Sequence, residues 1–305
     1  MEHGLMEGRT ICPSEDHWRV VAASVRGAGH AKTGQPCQDA HHWTLLPGGA
    51  LAAAVADGAG SAPLAEVGAE VAATAAVEAL LKPPPSTPLS RTGEGGRSVL
   101  AFPSARTVGV GAQFIAPSSR VLQHPALPET ETAWHALLQE ALQAALQAIE
   151  AAAAQHGMQP RDLATTLILM VATPTQVAAA QVGDGATVVG SEEGDLFALT
   201  APESGEYINE TTFLVAPEAL DSARIAVWRG TALHLAVLSD GLQRLALKMP
   251  CGTPHAPFFA PLFRFAAERT NATEAQEHLA AFLGSPRITQ RADDDLTLLL
   301  ASRTR

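Results

Sequence analysis

Apolar residues in this chain gather in uninterrupted runs more often than they alternate with polar ones. Residues 18–26 (WRVVAASVR) and 50–56 (ALAAAVA) read as strands, the second stopping at Asp57-Gly58. Runs at 164–172, 176–182, 186–190, 231–238 and 295–301 read the same way. Because most are continuous, these strands are expected to be covered on both faces. Two stretches carry helical spacing instead. Residues 63–81 are Ala-rich with Glu66, Glu70 and Glu78, and predict a helix starting near Pro63. Residues 131–156 place Leu138, Leu142, Ala145 and Ile149 on one face, with Glu140, Gln143, Gln147 and Glu150 elsewhere. A third helical region runs from about 252 to 283 and breaks near Thr270–Thr273. Consecutive strands separated by helices, with a strand–turn–strand unit at 176–190 that suggests a hairpin, favour an α+β fold. Antiparallel sheets packed with helices fit this pattern better than a doubly wound parallel sheet.

The pattern fails between residues 83 and 130, where Pro, Gly and Ser dominate without periodicity. That stretch is read as a linker or surface insertion, with a lid beside the site as the functional alternative. The organisation that follows is a tail at 1–16 and one domain over 17–303, interrupted by the insertion.

Composition narrows the function. Hydrophobic residues make up 47% and charged ones 17%, enough apolar content for a sizeable core. Twenty Lys+Arg against 31 Asp+Glu, a net charge of -11, argue against a nucleic-acid partner. No stretch of the sequence has the length and apolarity of a membrane span, and residues 1–16 have no apolar signal core, so a cytoplasmic location is expected. Cys12, Cys37 and Cys251 form neither a disulfide framework nor a zinc pattern.

The aspartates carry the chemistry. Three precede Gly where an apolar run ends: Asp57 in VADGAGS, Asp184 in QVGDGAT and Asp240 in VLSDGLQ. Asp293-Asp294-Asp295 enters the last strand, and Asp39 in PCQDAHHW precedes another. A lone Asp-Gly is most simply a hairpin turn. Several at strand ends gather carboxylates at one edge of a rigid sheet, where they repel unless protonated or bridged by a cation. All-oxygen ligation suits Mg²⁺ or Mn²⁺ rather than zinc. Gly after Asp is expected to let a backbone carbonyl approach the metal.

The ordered series QDA, VADGAGS, GDG, LSDGL and DDLT resembles the metal-dependent serine/threonine protein phosphatases of the 2C type, the PPM family. It is most similar to a bacterial branch opening G-x-x-H…G-x-P-C-Q-D-A, here Gly27, His30, Gly34, Pro36, Cys37, Gln38, Asp39 and Ala40. The resemblance covers residues 18–301 apart from the 83–130 stretch. It implies a four-layer α-β-β-α sandwich of two stacked antiparallel sheets flanked by helices. It also implies two Mn²⁺ or Mg²⁺ ions at one end, which activate a water for attack on phosphorus. By this resemblance Asp57 bridges both metals and Gly58 supplies its carbonyl. Asp240 and Asp294 are ligands of the first metal, and Asp184 holds a third, weaker one. Asp39 orients the water, and Asp295 stands beside the last ligand.

The sequence departs from the family pattern at three places. Gln38 stands where many members have Glu. Ala59 stands where eukaryotic members have a histidine proposed as general acid. Gly34 stands where those members have a phosphate-binding Arg. His30 and Lys32 are the nearby candidates for holding substrate phosphate; the plain alternatives are a turn-fixing histidine and a solvated lysine. His41 and His42, adjacent on a strand, point to opposite faces and make no joint metal site. The expected function is hydrolysis of phosphoserine and phosphothreonine in a phosphoprotein, a serine/threonine kinase or its target. The competing expectation is a non-catalytic phosphatase-like module that binds a phosphoprotein or kinase.

Overall fold

The computed structural model describes residues 18–46, 48–82, 127–202 and 211–304. The strands are β1 (Trp18–Val25), β2 (Asp39–Leu45), β3 (Leu51–Asp57), β4 (Leu167–Ala172), β5 (Gln176–Val182), β6 (Ala186–Ser191), β7 (Leu196–Thr200), β8 (Arg224–Arg229), β9 (Ala232–Leu238), the two-residue pair β10 (Leu247–Lys248) and β11 (Thr253–Pro254), and β12 (Leu296–Arg303). The helices are α1 (Ala28–Thr33), α2 (Ala65–Ala79), α3 (Glu131–His156), α4 (Gln243–Ala246), α5 (Ala256–Glu268), α6 (Ala272–Leu283) and α7 (Pro286–Thr289).

Ten strands form two antiparallel sheets of five, in the orders β1-β12-β9-β6-β7 and β2-β3-β4-β5-β8. Their facing sides meet in a core that includes Trp18, Leu51, Val55, Met170, Leu235, Val237 and Leu299. Period-two alternation turns the other residues of each strand outward. Ala52, Ala54 and Ala56 of β3, all buried, thereby face α2, whose own buried face is Ala69, Ala72, Ala73 and Ala76. Small residues on both sides let this helix lie close to the sheet. The opposite sheet presents Val21, Val188, Ala236, Leu298 and Leu300 to Phe259 and Phe263 of α5 and Leu279 and Leu283 of α6. The expected four layers, α-β-β-α, are present, and the continuous apolar runs are the strands covered on both faces.

Helix α3 spans the predicted residues 131–156, capped by the Thr130 hydroxyl at one end and by left-handed Gly157 at the other. The helix expected from Pro63 begins at Ala65, with Pro63 in the preceding turn. The hairpin expected at 176–190 is not one. β5 lies between β4 and β8 in one sheet, and β6 between β9 and β7 in the other. The three residues Gly183-Asp184-Gly185 cross from sheet to sheet. Of the irregular stretch at 83–130, residues 83–126 lie outside the described residues, as does the tail at 1–16.

Candidate active site

The facing sides of the sheets change character along their length. On β1 the inward series is Trp18, Ala22, Ser24; on β12, read toward its start, it is Ala301, Leu299, Thr297, Asp295. On β9 it is Leu235, Val237, Ser239, and on β3 it is Leu51, Ala53, Val55, Asp57. The same alternation thus delivers apolar side chains, then hydroxyls, then carboxylates to one end of the interior.

Asp39 begins β2 directly opposite Asp57, the last residue of β3. Asp240 follows β9 across the gap, and Asp184 sits in the crossing turn. One carboxylate oxygen each of Asp57, Asp184 and Asp240 lie within 4.8 Å of one another. Main-chain bonds hold Asp57: its N–H donates to Thr166 Oγ1 at 3.1 Å, and its carbonyl accepts from Thr165 Oγ1 at 2.9 Å. The turn carrying Asp184 is clamped by Gln181, whose Nε2 donates to Gly183 O at 3.1 Å and Gly185 O at 2.7 Å. Gln243 Nε2 donates to Asp184 O at 2.5 Å, and Thr211 Oγ1 to Asp184 Oδ2 at 2.9 Å. The glycine after each of the three aspartates is pressed against neighbouring backbone. A Cβ would lie 2.7 Å from Ala65 O at Gly58, 2.3 Å from Leu238 O at Gly185 and 2.1 Å from Asp295 O at Gly241. Close packing of the site loops therefore demands these glycines, a reason distinct from access of a carbonyl to metal.

The carboxylates resist ionisation. Burial, then the charges of Asp39 and Asp240, push Asp57 well above the usual carboxylate range. Burial lifts Asp39 to about 7 despite hydrogen bonds from Ser239 and Thr297, with Asp295 and Asp240 raising it further. Burial lifts Asp240 to about 6, opposed by its contact with Asp57, with the charges of Asp184 and Asp294 raising it further. Asp39 Oδ1, Asp240 Oδ1 and Gln38 Oε1 are buried without a hydrogen-bond partner among the described residues. Acceptor-only oxygens facing each other with no donor between them fit a hard divalent cation.

The other expected site residues divide. Asp294 is exposed at the rim, where its Oδ1 accepts from Asp295 N at 2.8 Å; its charge still raises Asp57 and Asp240. His30 donates through Nδ1 to Asp295 Oδ2, 2.9 Å away. Its Nε2 and Gln38 Oε1 both border Gly60. Lys32 is exposed on α1.

The protein phosphatase 2C family model matches residues 26–284. Serine/threonine-protein phosphatase 3 of Escherichia coli K12 is 32% identical over 290 residues, 93% of this chain and 98% of that protein. The chain belongs to the protein phosphatase 2C family. Solved structures agree in fold. The serine/threonine phosphatase Stp1 of Staphylococcus aureus aligns with a TM-score of 0.55 at 12% identity, covering 99% of each chain. The catalytic domain of the phosphatase PstP, solved with two manganese ions, aligns with a TM-score of 0.53 at 16% identity, covering 94% of this chain and 99% of that one.

Within this family member, the site is supported by Asp295, which the sequence named, and by several residues that it did not. Ser239 Oγ donates to Asp39 Oδ2 at 2.7 Å and accepts from Thr297 N at 3.0 Å. Asp295 accepts from Gly27 N and Gln38 N, both at 2.6 Å, and so ties the His30 and Asp39 segments to β12. The signal for Ser239 and Thr297 was available: Ser239 lies two residues past the core residue Val237 and adjoins Asp240, and Thr297 stands midway between Asp295 and the core residue Leu299. Gln181, Gln243 and Thr211 gave no comparable signal, because their bonds depend on the crossing turn. Cys37 is held as a thiol: burial, then the charges of Asp295 and Asp39, push it up to about 12.

Proposed function

We propose that this chain hydrolyses phosphoserine and phosphothreonine in proteins with the help of two divalent cations, Mn²⁺ or Mg²⁺. Family membership makes it a protein-serine/threonine phosphatase; the cation chemistry rests on one observation. Asp57, Asp184 and Asp240 meet within 4.8 Å, and no donor among the described residues satisfies the buried oxygens beside them. Asp57, the Gly58 carbonyl, Asp240 and Asp294 would hold the two ions, and Asp184 a third and weaker one. When bound, such cations lower the pKa of a water and neutralise phosphoryl oxygens.

The chain's own residues do the rest. Asp39 is fixed through Oδ2 by Ser239 and keeps Oδ1 free to accept a hydrogen bond from the attacking water. Asp295 orients His30 through Nδ1, leaving Nε2 to face the substrate phosphate, with Lys32 adding charge from α1. Ala59 offers the departing oxygen no proton, so the Asp184 region is assigned that assistance. The substrate is a phosphoprotein, a serine/threonine kinase or its target, in the cytoplasm. The tail at 1–16 and the insertion at 83–130 are additions to a single phosphatase domain.

The deciding experiment is hydrolysis of a phosphopeptide and of an activated aryl phosphate with Mn²⁺, with Mg²⁺ and with chelator. Turnover of both substrates that chelator abolishes is expected. In Asp184→Asn the phosphopeptide rate should fall more than the aryl phosphate rate, since only the alkoxide leaving group needs a proton. Chelator-resistant turnover would end the cation proposal, and tight phosphopeptide binding without turnover would favour the non-catalytic module.

A further inference from the structure

Strand β2 is the outer strand of its sheet and pairs with β3 alone. Gly58 N donates to Gln38 O at 3.1 Å, and Leu46 N to Ala50 O at 2.7 Å, so the even-numbered positions along β2 are the ones bonded to β3. The main-chain N–H and C=O groups of His41, Trp43 and Leu45 therefore point away from β3. None of them has a hydrogen-bond partner among the described residues. Side chains at these positions share the face of Asp39, which looks across to β1; His41 Nδ1 lies 2.9 Å from Ser24 Oγ there. Further along the same face, Trp43 is 38% exposed and Leu45 43%. Edge strands are commonly closed by Lys, Pro or a bulge, and from Ala40 onward β2 has none of these.

This open edge starts at the site. Its first residue is Asp39, and Gln38 just before it borders Gly60 together with His30 Nε2. An extended chain laid along β2 meets the outward N–H and C=O groups with its own and adds one strand to the sheet. Residues directly opposite Asp39, Trp43 and Leu45 lie on the same face as those side chains. A phosphoserine opposite Asp39 is thereby turned toward the carboxylates, and the residues four and six positions from it fall beside Trp43 and Leu45. At about 3.3 Å per residue these lie ~13 and ~20 Å along the strand from Asp39. Every pairing in this sheet is antiparallel, the stronger arrangement per residue, so the added chain runs toward the site. The two residues beside Trp43 and Leu45 then precede the phosphoserine.

We propose that the free edge of β2 docks the substrate chain: it takes an extended phosphopeptide, antiparallel to β2, with apolar residues four and six positions before the phosphorylated one. The proposal rests on the phosphatase reading of the site. A protein substrate must carry its chain away from the phosphorylated residue along some surface, and β2 leaves the site with unbonded backbone and exposed apolar side chains on one face. Trp43 and Leu45 are specificity residues that meet the peptide and not its phosphate. An aryl phosphate has no chain to lay on the edge, so the edge acts on peptides alone and acts through KM.

The test uses the whole protein with Mn²⁺, an aryl phosphate, and phosphopeptides carrying Leu or Ser at those two positions. Two apolar cross-strand pairs should give the Leu peptide a kcat/KM about ten-fold above that of the Ser peptide, through KM. In the double variant Trp43→Thr, Leu45→Thr, whose new residues suit a strand, the ratio of Leu-peptide to aryl phosphate kcat/KM should fall about ten-fold. N-methylation of the peptide offers a second reading on the unaltered protein. Placed four residues before the phosphoserine, where the N–H faces β2, it should raise KM about five-fold, the worth of one main-chain hydrogen bond. Placed five before, where the N–H faces solvent, it should leave KM unmoved. Equal turnover of the Leu and Ser peptides would overturn the proposal, as would equal costs of the two N-methylations or equal losses on peptide and aryl phosphate in the variant. A dimer of the wild-type chain that the variant dissolves would overturn it too, giving the edge to a second copy. If neither peptide is turned over, anisotropy of the same peptides, labelled, decides in Mn²⁺. Tighter binding of the Leu peptide would then overturn the phosphatase reading and leave the docking edge standing, and equal binding would overturn the edge.

Discussion

Asp295 and the group of Asp39, Asp57, Asp184 and Asp240 occupy the same end of the two sheets, yet their surroundings are opposite. Asp295 is 2% exposed and meets three donors: two backbone N–H groups at 2.6 Å and the His30 imidazole at 2.9 Å. The others face mainly one another, with Oδ1 of Asp39 and of Asp240 left bare. A buried carboxylate surrounded by donors fastens chain segments together. A cluster of carboxylates given only a hydroxyl each at Asp39 and Asp184 is destabilised as it stands and is relieved by protons or a cation. Sequence places all five at strand ends; only the donors distinguish fastener from ligand.

The sharpest way to break this contrast is to neutralise one member of each kind. Asp57→Asn should cut phosphatase activity by about 10³-fold or more, because cations supply several kcal/mol of charge stabilisation. The same change should leave the metal-free protein as stable as wild type or more so, since it removes repulsion. A metal-free protein that melts well below wild type would show Asp57 to be a fastener after all. Asp295→Asn should do the reverse. It orphans at least one buried N–H at a cost of about 1–3 kcal/mol, read as a lower Tm with or without metal. An unchanged Tm would remove the distinction.

A smaller effect follows from pH. Asp39 and Asp240 hold protons in the folded chain up to about 7 and about 6, against an ordinary value of 3.8. Raised values mean that the folded state binds more protons than the unfolded one. The stability this contributes is complete below 3.8 and is lost as pH rises through 6 to 7. In chelator, Tm should therefore fall from pH 5 to pH 8, and Mg²⁺ should flatten that fall by taking the place of the protons. A flat profile in chelator would mean that the cluster is already satisfied. The smallest change is expected from Cys37→Ser. A thiol raised to about 12 carries almost no thiolate at neutral pH, so turnover should stay within about two-fold of wild type. Loss of activity with an intact fold would point to a thiolate mechanism.

The sequence made the strands covered on both faces visible, because Leu167–Ala172 and Leu51–Asp57 are unbroken apolar runs. Helix α3 was visible from its spacing. β7 and β8 were not, because Leu196–Thr200 and Arg224–Arg229 are half-buried strands at sheet edges and mix polar with apolar residues. Which strand belongs to which sheet was also hidden, since a short turn of Gly and Asp serves a hairpin and a crossing equally well. The aspartates were legible from their place at strand ends and from the family series. Their grouping was not: Asp294 was expected as a ligand and sits exposed at the rim, while Asp184 lies in the tight cluster. Distance between strand ends in different sheets has no signature in local sequence.

Asp57 belongs to one sheet, Asp240 extends a strand of the other, and Asp184 lies on the chain that links them. Anything that binds all three acts as a rivet through the two layers. It resists shear of one sheet across the other, adding a fixed point at the rim to the packing of Trp18, Met170, Leu235 and Leu299 between the layers. The converse also holds: a slip between the layers changes the spacing of the carboxylates directly, so the sandwich is itself the gauge that sets the width of its metal-binding jaw.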